Sequence, residues 1–426
     1  MGYINRKYRP SNEDLVAEFY MEPARGIRFE KAAEAVAAES SIGTWTSVAT
    51  MKPSIRKKLQ PYVFYLDEKR RIIKIAYPQQ LFELGNIPQL LSSVAGNIFG
   101  MSIVKNLRLE DIDFPFKFTK YFKGPLYGIP GVRKITKVKK RPLVGTIVKP
   151  KVGLNAKEHA KVAYNAWIGG CDIVKDDENL ANMKFNKFAE RVKETLKLKE
   201  KAEKETGEKK LYLANVTAEC MEMLSRAEFV KDLGGESIMV DICTTGFSAL
   251  QTLCNENRKN FKLILHAHRA MHAAFTRNPK HGISMLVLAK LCRLIGLDEI
   301  HVGAIVGKMV GKAKEVYMIG EEIEKQIIKE DIAAHVLKEE WFDIKPMFAV
   351  CSGGLHPGKV EKLMKIMGHD IIIQMGGGIH GHPKGTIAGA KAARQAVDAV
   401  MQGISLKEYA RTHAELRDAI KKWGVL

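Results

Sequence analysis

Cysteine is scarce in this sequence, and its spacing is uninformative for metal binding. The six cysteines are Cys171, Cys220, Cys243, Cys254, Cys292 and Cys351. No two of them have the close spacing of a zinc or iron–sulfur motif. This pattern argues against a cysteine-held metal and predicts free thiols in a reducing compartment.

Long apolar runs are also missing. No uninterrupted apolar segment reaches the roughly 20 residues that a membrane-spanning helix needs. Residues 1–10 contain no apolar core of the kind found in a signal peptide. We therefore expect a cytoplasmic protein that has no membrane partner.

Acidic residues are outnumbered by basic ones. The chain has 68 Lys and Arg against 48 Asp and Glu, a net charge of +20. Such a charge can steer a phosphorylated substrate, or it can mark a nucleic-acid-binding protein. The sequence has no nucleic-acid-binding motif, and much of the excess lies on helical patterns such as 197–210. We expect no specific nucleic-acid partner, and the reason for the charge stays open.

A chain of 426 residues is long enough for two domains. Residues 1–125 mix a strand pattern at 72–77 with helical patterns at 29–39 and 81–96. This mixture predicts a small α+β N-terminal domain. Residues 114–139, rich in Pro, Gly and basic side chains, resemble a linker into a second domain over 126–426.

The second domain alternates short apolar runs with longer amphipathic stretches. The predicted strands are 144–148, 171–174, 211–216, 237–242, 262–265, 299–302, 347–350 and 370–374. Helical patterns lie between them at 156–167, 185–206, 221–233 and 285–294, and further helices follow at 387–403 and 406–423. Eight βα units predict a (β/α)₈ TIM barrel, an α/β fold, and a doubly wound open sheet is the alternative.

Polar residues favour the barrel because they follow the predicted strands. The residues in question are Lys149, Lys175, His268, His301, Ser352 and Gly376. Barrel enzymes build their active sites from residues at this end of the strands.

The segment Lys175-Asp176-Asp177-Glu178 carries the most specific chemistry in the chain. A neutral lysine amine can add carbon dioxide and become an anionic carbamate. Together with Asp177 and Glu178, that carbamate would form an all-oxygen site of the type that Mg²⁺ prefers. Carbamylation requires a lowered pKa at Lys175 or an alkaline medium. In isolation the segment could equally be an ordinary cluster of surface charges.

Nine sequence blocks, in order, resemble the large subunit of ribulose-1,5-bisphosphate carboxylase/oxygenase (RuBisCO). The blocks are 39–46, 96–100, 149–154, the Lys175 segment, 268–272, His301, 306–308, 352–354 and 376–378. The short chain, residues 147–151 and Ile42 resemble the archaeal form III branch most.

The resemblance implies a lyase that joins carbon dioxide and water to ribulose 1,5-bisphosphate and forms two 3-phosphoglycerates. Oxygen would be a competing substrate, Mg²⁺ the cofactor and carbon dioxide also the activator. Form III relatives imply a role in nucleotide salvage from AMP. A homodimer or an assembly of dimers is implied, without a small subunit.

The resemblance also implies roles for residues of the barrel. Carbamylated Lys175, with Asp177 and Glu178, would bind Mg²⁺ and take the C3 proton of the substrate. Lys149 would protonate the final carbanion, and Lys151 would support it. The remaining implied residues are His268 for hydration or cleavage, Arg269 and His301 for one phosphate, Ser352, Gly353, Gly354, Gly376 and Gly377 for substrate contacts, and Lys308 on a loop that closes over carbon dioxide.

Four residues of the N-terminal domain would act in the barrel of a partner subunit. Thr44 and Trp45 would contact a phosphate, Asn97 would lie near the metal, and Glu39 would pair with Lys308. Without the resemblance, Trp45 would be interpreted as a core residue.

The loop after Lys308 departs from the family pattern. Val310 stands where an acidic residue is expected, and Lys312 adds a positive charge. We expect activity to survive, with an open effect on loop closure and on discrimination against oxygen.

Two other functions remain as alternatives. A RuBisCO-like protein would keep the carbamate and metal but enolise or isomerise a related sugar phosphate. A non-enzymatic scaffold would use the basic surface for binding, since a barrel fold alone does not prove catalysis.

Overall fold

The computed structural model describes residues 2–306 and 313–426. The chain forms two compact units, and each unit is assembled from three segments. The smaller unit comprises Met1–Gly124, Met271–Ile295 and Lys325–Ile344, and the larger comprises Pro125–Ala270, Gly296–Glu324 and Lys345–Leu426. The sequence pattern divides the chain into two domains that are each continuous in sequence, with a boundary near residue 125. That division stays a prediction.

The strands of the described chain are as follows, in chain order: β1 Leu15–Pro23, β2 Tyr62–Asp67, β3 Ile72–Tyr77, β4 Val104–Asp113, β5 Leu143–Ile147, β6 Ile173–Lys175, β7 Leu211–Asn215, β8 Ser237–Asp241, β9 Ile264–His268, β10 Gly282–Ile283, β11 Glu299–Gly303, β12 Ile327–Ile328, β13 Glu339–Glu340, β14 Phe348–Ser352 and β15 Ile371–Gln374.

The helices of the same residues are α1 Phe29–Glu39, α2 Pro53–Leu59, α3 Ile87–Val94, α4 Phe116–Thr119, α5 Gly128–Thr136, α6 Ala156–Ile168, α7 Phe188–Thr206, α8 Cys220–Asp232, α9 Ile242–Thr245, α10 Phe247–Glu256, α11 Ala273–Thr276, α12 Met285–Ile295, α13 Ala313–Glu324, α14 Val360–Met367, α15 Gly377–His380, α16 Gly385–Met401, α17 Leu406–Tyr409 and α18 Ala414–Trp423. Short 3₁₀ turns lie at Gln79–Leu81, Asn97–Gly100, Ile332–Ala334 and Pro357–Lys359, and one π turn lies at Asn257–Phe261.

The larger unit contains a closed barrel of parallel strands in the order β11-β14-β15-β5-β6-β7-β8-β9. These are the eight strands predicted from the sequence, each shifted by no more than three residues at an end. The closed barrel confirms the (β/α)₈ prediction and excludes the open doubly wound sheet. Its strands read as apolar runs because they are buried between the barrel interior and the surrounding helices.

Local sequence signals begin and end the barrel helices. The side chain of Asn155 accepts a hydrogen bond from the Glu158 amide, and the Glu158 carboxylate accepts one from the Asn155 amide at 2.9 Å. This capping box satisfies amides that the first turn of α6 leaves without helical partners. At the C-terminal end of the next helix, α7, Gly207 has a φ of +67°, a left-handed conformation that glycine adopts without strain.

Helix α5 packs on the barrel core, which corrects the prediction that residues 114–139 are only a linker. Ile129 and Val132 of this helix join a buried cluster that includes the first residues of several strands, such as Leu143, Ile173 and Leu211. The helix therefore covers the end of the barrel at which the strands begin. Its Gly and Pro content concealed the helical pattern in the sequence.

The smaller unit has the predicted α+β character. Its sheet has the order β10-β4-β1-β3-β2, and α1 buries Ala32, Ala33 and Val36. Helix α12, predicted as a barrel helix, has a fully buried Lys290 whose Nζ lies 2.9 Å from carboxylate oxygens of both Asp111 and Glu339. Buried charges of this kind are tolerated because they are paired.

No helix among residues 2–306 and 313–426 is long and apolar enough to cross a membrane. All six cysteines are free thiols.

Candidate active site

The polar residues that were predicted to follow strands gather at one end of the barrel. Lys149 follows β5, and Lys175, His268 and Ser352 are the last residues of β6, β9 and β14. Because all barrel strands are parallel, their carboxyl ends open on the same face. The described part of the site is therefore built from several separate strands.

Lys175 is almost completely buried, with 1% of its surface exposed. Its Nζ donates to the Asp176 carbonyl oxygen at 2.9 Å and lies 3.2 Å from the Met239 sulfur and 3.7 Å from Glu178 Oε2. Burial lowers the pKa of Lys175, and the negative charges of Glu178, Asp177 and Asp241 offset only part of that effect. This is the lowered pKa that the sequence interpretation required of a lysine that reacts with carbon dioxide.

Asp176, next in sequence, has a different environment. It is fully buried, and its carboxylate accepts hydrogen bonds from Arg191 Nε at 3.0 Å, the Tyr212 hydroxyl at 2.8 Å and the Asn215 amide at 3.0 Å. Burial alone would raise the pKa of Asp176, but the charge of Arg191 and a contact with His159 lower it below its usual value. Asp176 is therefore a structural carboxylate.

Asp177 and Glu178 remain near the Lys175 amine. Asp177 Oδ2 lies 2.7 Å from Lys149 Nζ, and its Oδ1 accepts a hydrogen bond from the Asn179 side chain at 3.0 Å. Burial would raise the pKa of Asp177, but the hydrogen bonds from Lys149 and Asn179 lower it. Asp177 can therefore present carboxylate oxygens to a cation, and Glu178 Oε2 lies 3.7 Å from the Lys175 amine.

His268 connects the acidic cluster to a further strand. Its Nδ1 lies 2.8 Å from Asp241 Oδ1, and its Nε2 lies 3.6 Å from Glu178 Oε2. Asp241 is the last residue of β8, and its carboxylate contacts Nδ1 at the edge of the imidazole ring. The other ring nitrogen is directed toward Glu178, so the imidazole lies between two carboxylates of the site.

Lys149 and Lys151 differ in exposure. Lys149 reaches Asp177, while Lys151 is exposed. Gly376 lies beside the Lys149 stem, and a Cβ there would come within 3.3 Å of Lys149 Cε. A side chain at this position would crowd the lysine, so the glycine preserves its path.

A buried hydrogen-bond chain was missed by the sequence interpretation. His266, to which no role was assigned, has Nδ1 2.7 Å from Glu299 Oε2 and Nε2 2.9 Å from His301 Nε2. His301 Nδ1 in turn lies 2.7 Å from Ser352 Oγ. The available signal was Glu299, a carboxylate that begins an otherwise apolar strand two residues before His301.

Arg269 follows His268 and is partly buried. Burial lowers the pKa of Arg269 to about 10, although nearby Glu315 raises it. A Cβ at Gly303 would lie 2.8 Å from Arg269 Nη2, so the glycine leaves room for the guanidinium. Gly353 and Gly354 have φ values of +109° and +67°, which place Ser352 at the start of a tight glycine turn.

The four other predicted site residues lie in the smaller unit. Glu39 ends α1, Asn97 is exposed in a 3₁₀ turn, and Thr44 and Trp45 are exposed. Trp45 has 93% of its surface exposed, so the interpretation as a core residue does not hold. Lys308, Val310 and Lys312 lie outside the described residues.

Family models match most of the chain. The model of the ribulose bisphosphate carboxylase large chain, catalytic domain, matches residues 128–423, and that of the N-terminal domain matches residues 2–118. The chain belongs to the RuBisCO large-chain family. This RuBisCO chain is therefore an enzyme of the ribulose bisphosphate carboxylase class.

Archaeal RuBisCO proteins resemble it over their full length. The ribulose bisphosphate carboxylase of Methanosarcina mazei is 55% identical over 422 residues, which covers 99% of this chain and 98% of that protein. The ribulose bisphosphate carboxylase of Pyrococcus furiosus is 47% identical, and the match covers 100% of this chain and 98% of that protein. These relatives confirm the predicted likeness to archaeal members.

Solved RuBisCO structures have the same fold. An archaeal RuBisCO crystal structure has a TM-score of 0.95 at 47% identity, with 100% of both chains covered. The dimeric RuBisCO of Hyperthermus butylicus has a TM-score of 0.94 at 46% identity, covering 100% of this chain and 99% of that one. The octameric RuBisCO of Pyrococcus horikoshii, in complex with sulfate, has a TM-score of 0.92 at 45% identity, covering 99% and 96%.

Proposed function

We propose that this chain carboxylates ribulose 1,5-bisphosphate in the cytoplasm, with oxygenation as a side reaction. One carbon dioxide and one water are added to the five-carbon bisphosphate, and the six-carbon product is cleaved into two 3-phosphoglycerates. The observation that carries the proposal is the buried Lys175 amine, whose pKa is lowered, beside Glu178 and within the electrostatic influence of Asp177.

The residues present fit a Mg²⁺ site that depends on carbamylation. Among the described residues, no group of three or more His, Cys, Asp or Glu side chains could hold a metal ion. Asp177 and Glu178 supply two carboxylates, so a third oxygen anion is needed, and a Lys175 carbamate would be one. An all-oxygen donor set suits Mg²⁺, which when bound would polarise substrate oxygens and stabilise negative charge on them.

The chain's own residues would handle protons around that centre. Carbamylated Lys175 would take the C3 proton of the substrate. His268, held by Asp241, would assist hydration or cleavage. Lys149, with about a third of its side chain exposed, would deliver the final proton to the carbanion, and exposed Lys151 would support it.

Anionic substrate groups would be held by residues in or directly after the last parts of four barrel strands. Arg269 and His301 would bind one phosphate, because guanidinium groups make paired hydrogen bonds to phosphate oxygens. The glycine turns after β14 and β15 let backbone amides approach an anion closely. The contributing residues there would be Ser352, Gly353, Gly354, Gly376 and Gly377, and Lys308 would complete the site.

We also propose that the active unit is a homodimer or an assembly of dimers, without a small subunit. Dimeric and octameric archaeal relatives support such assemblies. Trp45, with 93% of its surface exposed, would lie on a surface that the partner covers. Glu39, Thr44, Trp45 and Asn97 would then contribute to the partner's site, and the enzyme would serve nucleotide salvage from AMP.

Product analysis tests the reaction type. Purified protein, preincubated with bicarbonate and Mg²⁺, would receive ribulose 1,5-bisphosphate, and the products would be separated and identified. We expect two 3-phosphoglycerates for each bisphosphate consumed. A five-carbon isomer without carbon fixation would instead establish the RuBisCO-like enolase or isomerase.

A further inference from the structure

We propose that Glu299 and His266 are positioning residues that direct a hydrogen-bond chain toward Ser352, with Glu299 held neutral so that the Ser352 hydroxyl donates to an anionic substrate. The inference deepens the proposed function and rests on it for the identity of the substrate. It concerns the chain Glu299–His266–His301–Ser352, whose three links measure 2.7, 2.9 and 2.7 Å.

The barrel geometry creates this chain. Glu299 and His301 are two residues apart on β11, so their side chains lie on the same face of the strand. Glu299 is paired with His266 on the adjacent strand β9, and Ser352 ends β14 on the other side of β11. The chain thus runs from the beginning of β11 to the mouth of the barrel.

Burial favours the neutral form of both imidazoles in the chain. Burial lowers the pKa of His266 well below its usual value, and nearby His268 lowers it further. Burial also lowers the pKa of His301 well below its usual value, and the neighbouring His268, His266 and Arg269 lower it further. A neutral imidazole has one N–H donor and one acceptor nitrogen, so every link must point in the same direction along the chain.

Two arrangements satisfy this rule, and they differ by one proton. When Glu299 is protonated, it donates to His266 Nδ1, His266 Nε2–H donates to His301, and His301 Nδ1–H donates to Ser352 Oγ. The Ser352 hydroxyl hydrogen is then free to point toward the substrate. When Glu299 is ionised, every donor reverses, and the Ser352 hydroxyl is committed to His301.

The surroundings of Glu299 favour the protonated form. Its Oε1 is buried and, within residues 2–306 and 313–426, makes no hydrogen bond. A buried carboxylate oxygen without a donor is more costly than a buried carboxylic acid group. Burial raises the pKa of Glu299 well above its usual value, and the neighbouring Asp298 raises it further.

Glu299→Gln tests the charge state of the Glu299 carboxyl group, because glutamine has nearly the same shape and does not titrate. The infrared spectrum of the wild-type protein minus that of the variant, at neutral pH, should contain the C=O band of a protonated carboxyl group. A carboxylate pair of bands in its place would overturn the proposal. This measurement needs no catalytic activity, so it determines the protonation of Glu299 even if the carboxylase assignment fails.

Kinetics test the consequence for the substrate. As pH rises through the pKa of Glu299, the wild-type KM for ribulose 1,5-bisphosphate should rise because the Ser352 donor is withdrawn. Glu299→Gln should keep the neutral-pH KM within about threefold and lose this alkaline rise. Glu299→Leu, which leaves the end of the chain without a partner, should raise KM about tenfold with a smaller change in kcat. The same alkaline rise in wild type and Glu299→Gln would contradict the account.

Discussion

Lys149 Nζ lies 2.7 Å from Asp177 Oδ2, so the proposed proton donor is bound to a proposed metal ligand. The contact keeps the amine directed into the site. Binding of a cation by Asp177 would compete for the same oxygen and release the lysine toward substrate. With the proposed roles, activation and proton delivery would be linked through one carboxylate.

Lys149→Met should separate these two steps. We expect carboxylation to fall by roughly a hundredfold or more, the usual effect of losing a positioned acid or base. Carbon dioxide trapped on the enzyme in the presence of Mg²⁺ should be retained, because Lys175 is unchanged. Turnover close to that of the wild type would remove Lys149 from the proton-donor role.

The same substitution should affect mainly stability at Asp176 and mainly activity at Asp177. Asp176→Asn breaks a buried pair with Arg191 and should lower the free energy of unfolding by about 3 kcal/mol or more. Asp177→Asn should abolish carboxylation with a smaller loss of stability. Denaturant unfolding and initial rates, measured on both variants, make the comparison.

The Asp176 effect should also depend on pH. Because the folded-state pKa of Asp176 is lowered, its ionised form stabilises the fold above the usual aspartate pKa of about 4. That stabilisation is lost as pH falls through the folded pKa. The difference between wild type and Asp176→Asn should therefore shrink in acid, and a constant difference would contradict the assignment.

Activation should increase as the Lys175 amine loses its proton. Its pKa is lowered from the usual 10.5, so a neutral amine is available at a lower pH than in free lysine. The rate of carbon dioxide uptake before substrate addition should rise with pH and reach half its maximum below 10.5. Lys175→Arg serves as control, since a guanidinium does not deprotonate in this range and should take up nothing.

Mixed dimers test whether subunits share active sites. Co-expressed Asn97→Ala and Lys175→Ala chains should recover activity that neither variant has alone. With random pairing, half of the dimers are hybrid and each has one intact site, so recovery should be about a quarter of the wild-type activity. Activity no higher than that of the single variants would count against shared sites.

The barrel and most of its polar residues could be predicted because strands and their carboxyl ends leave a strong pattern. An apolar run followed by Lys175 or by Ser352 indicates a buried strand and then a residue at the barrel mouth. This reasoning works for residues that follow strands.

Residues inside the strands were harder to interpret. His266 and Glu299 lie within the barrel, where a polar residue gives no sign of which neighbour satisfies it. Their pairing depends on the register between β9 and β11, which cannot be read from the sequence. Helix α5 was missed for another reason, since its Gly and Pro residues are typical of linkers as well as of helix starts.

The most direct test of the central claim is fixation of radiolabelled bicarbonate. Protein preincubated with bicarbonate and Mg²⁺ would receive ribulose 1,5-bisphosphate without oxygen, beside Lys175→Ala as the matched control. The account predicts label in 3-phosphoglycerate with the wild type and none with the variant. A folded wild-type protein that binds Mg²⁺ but fixes no label, or a variant that fixes it equally well, would contradict the account.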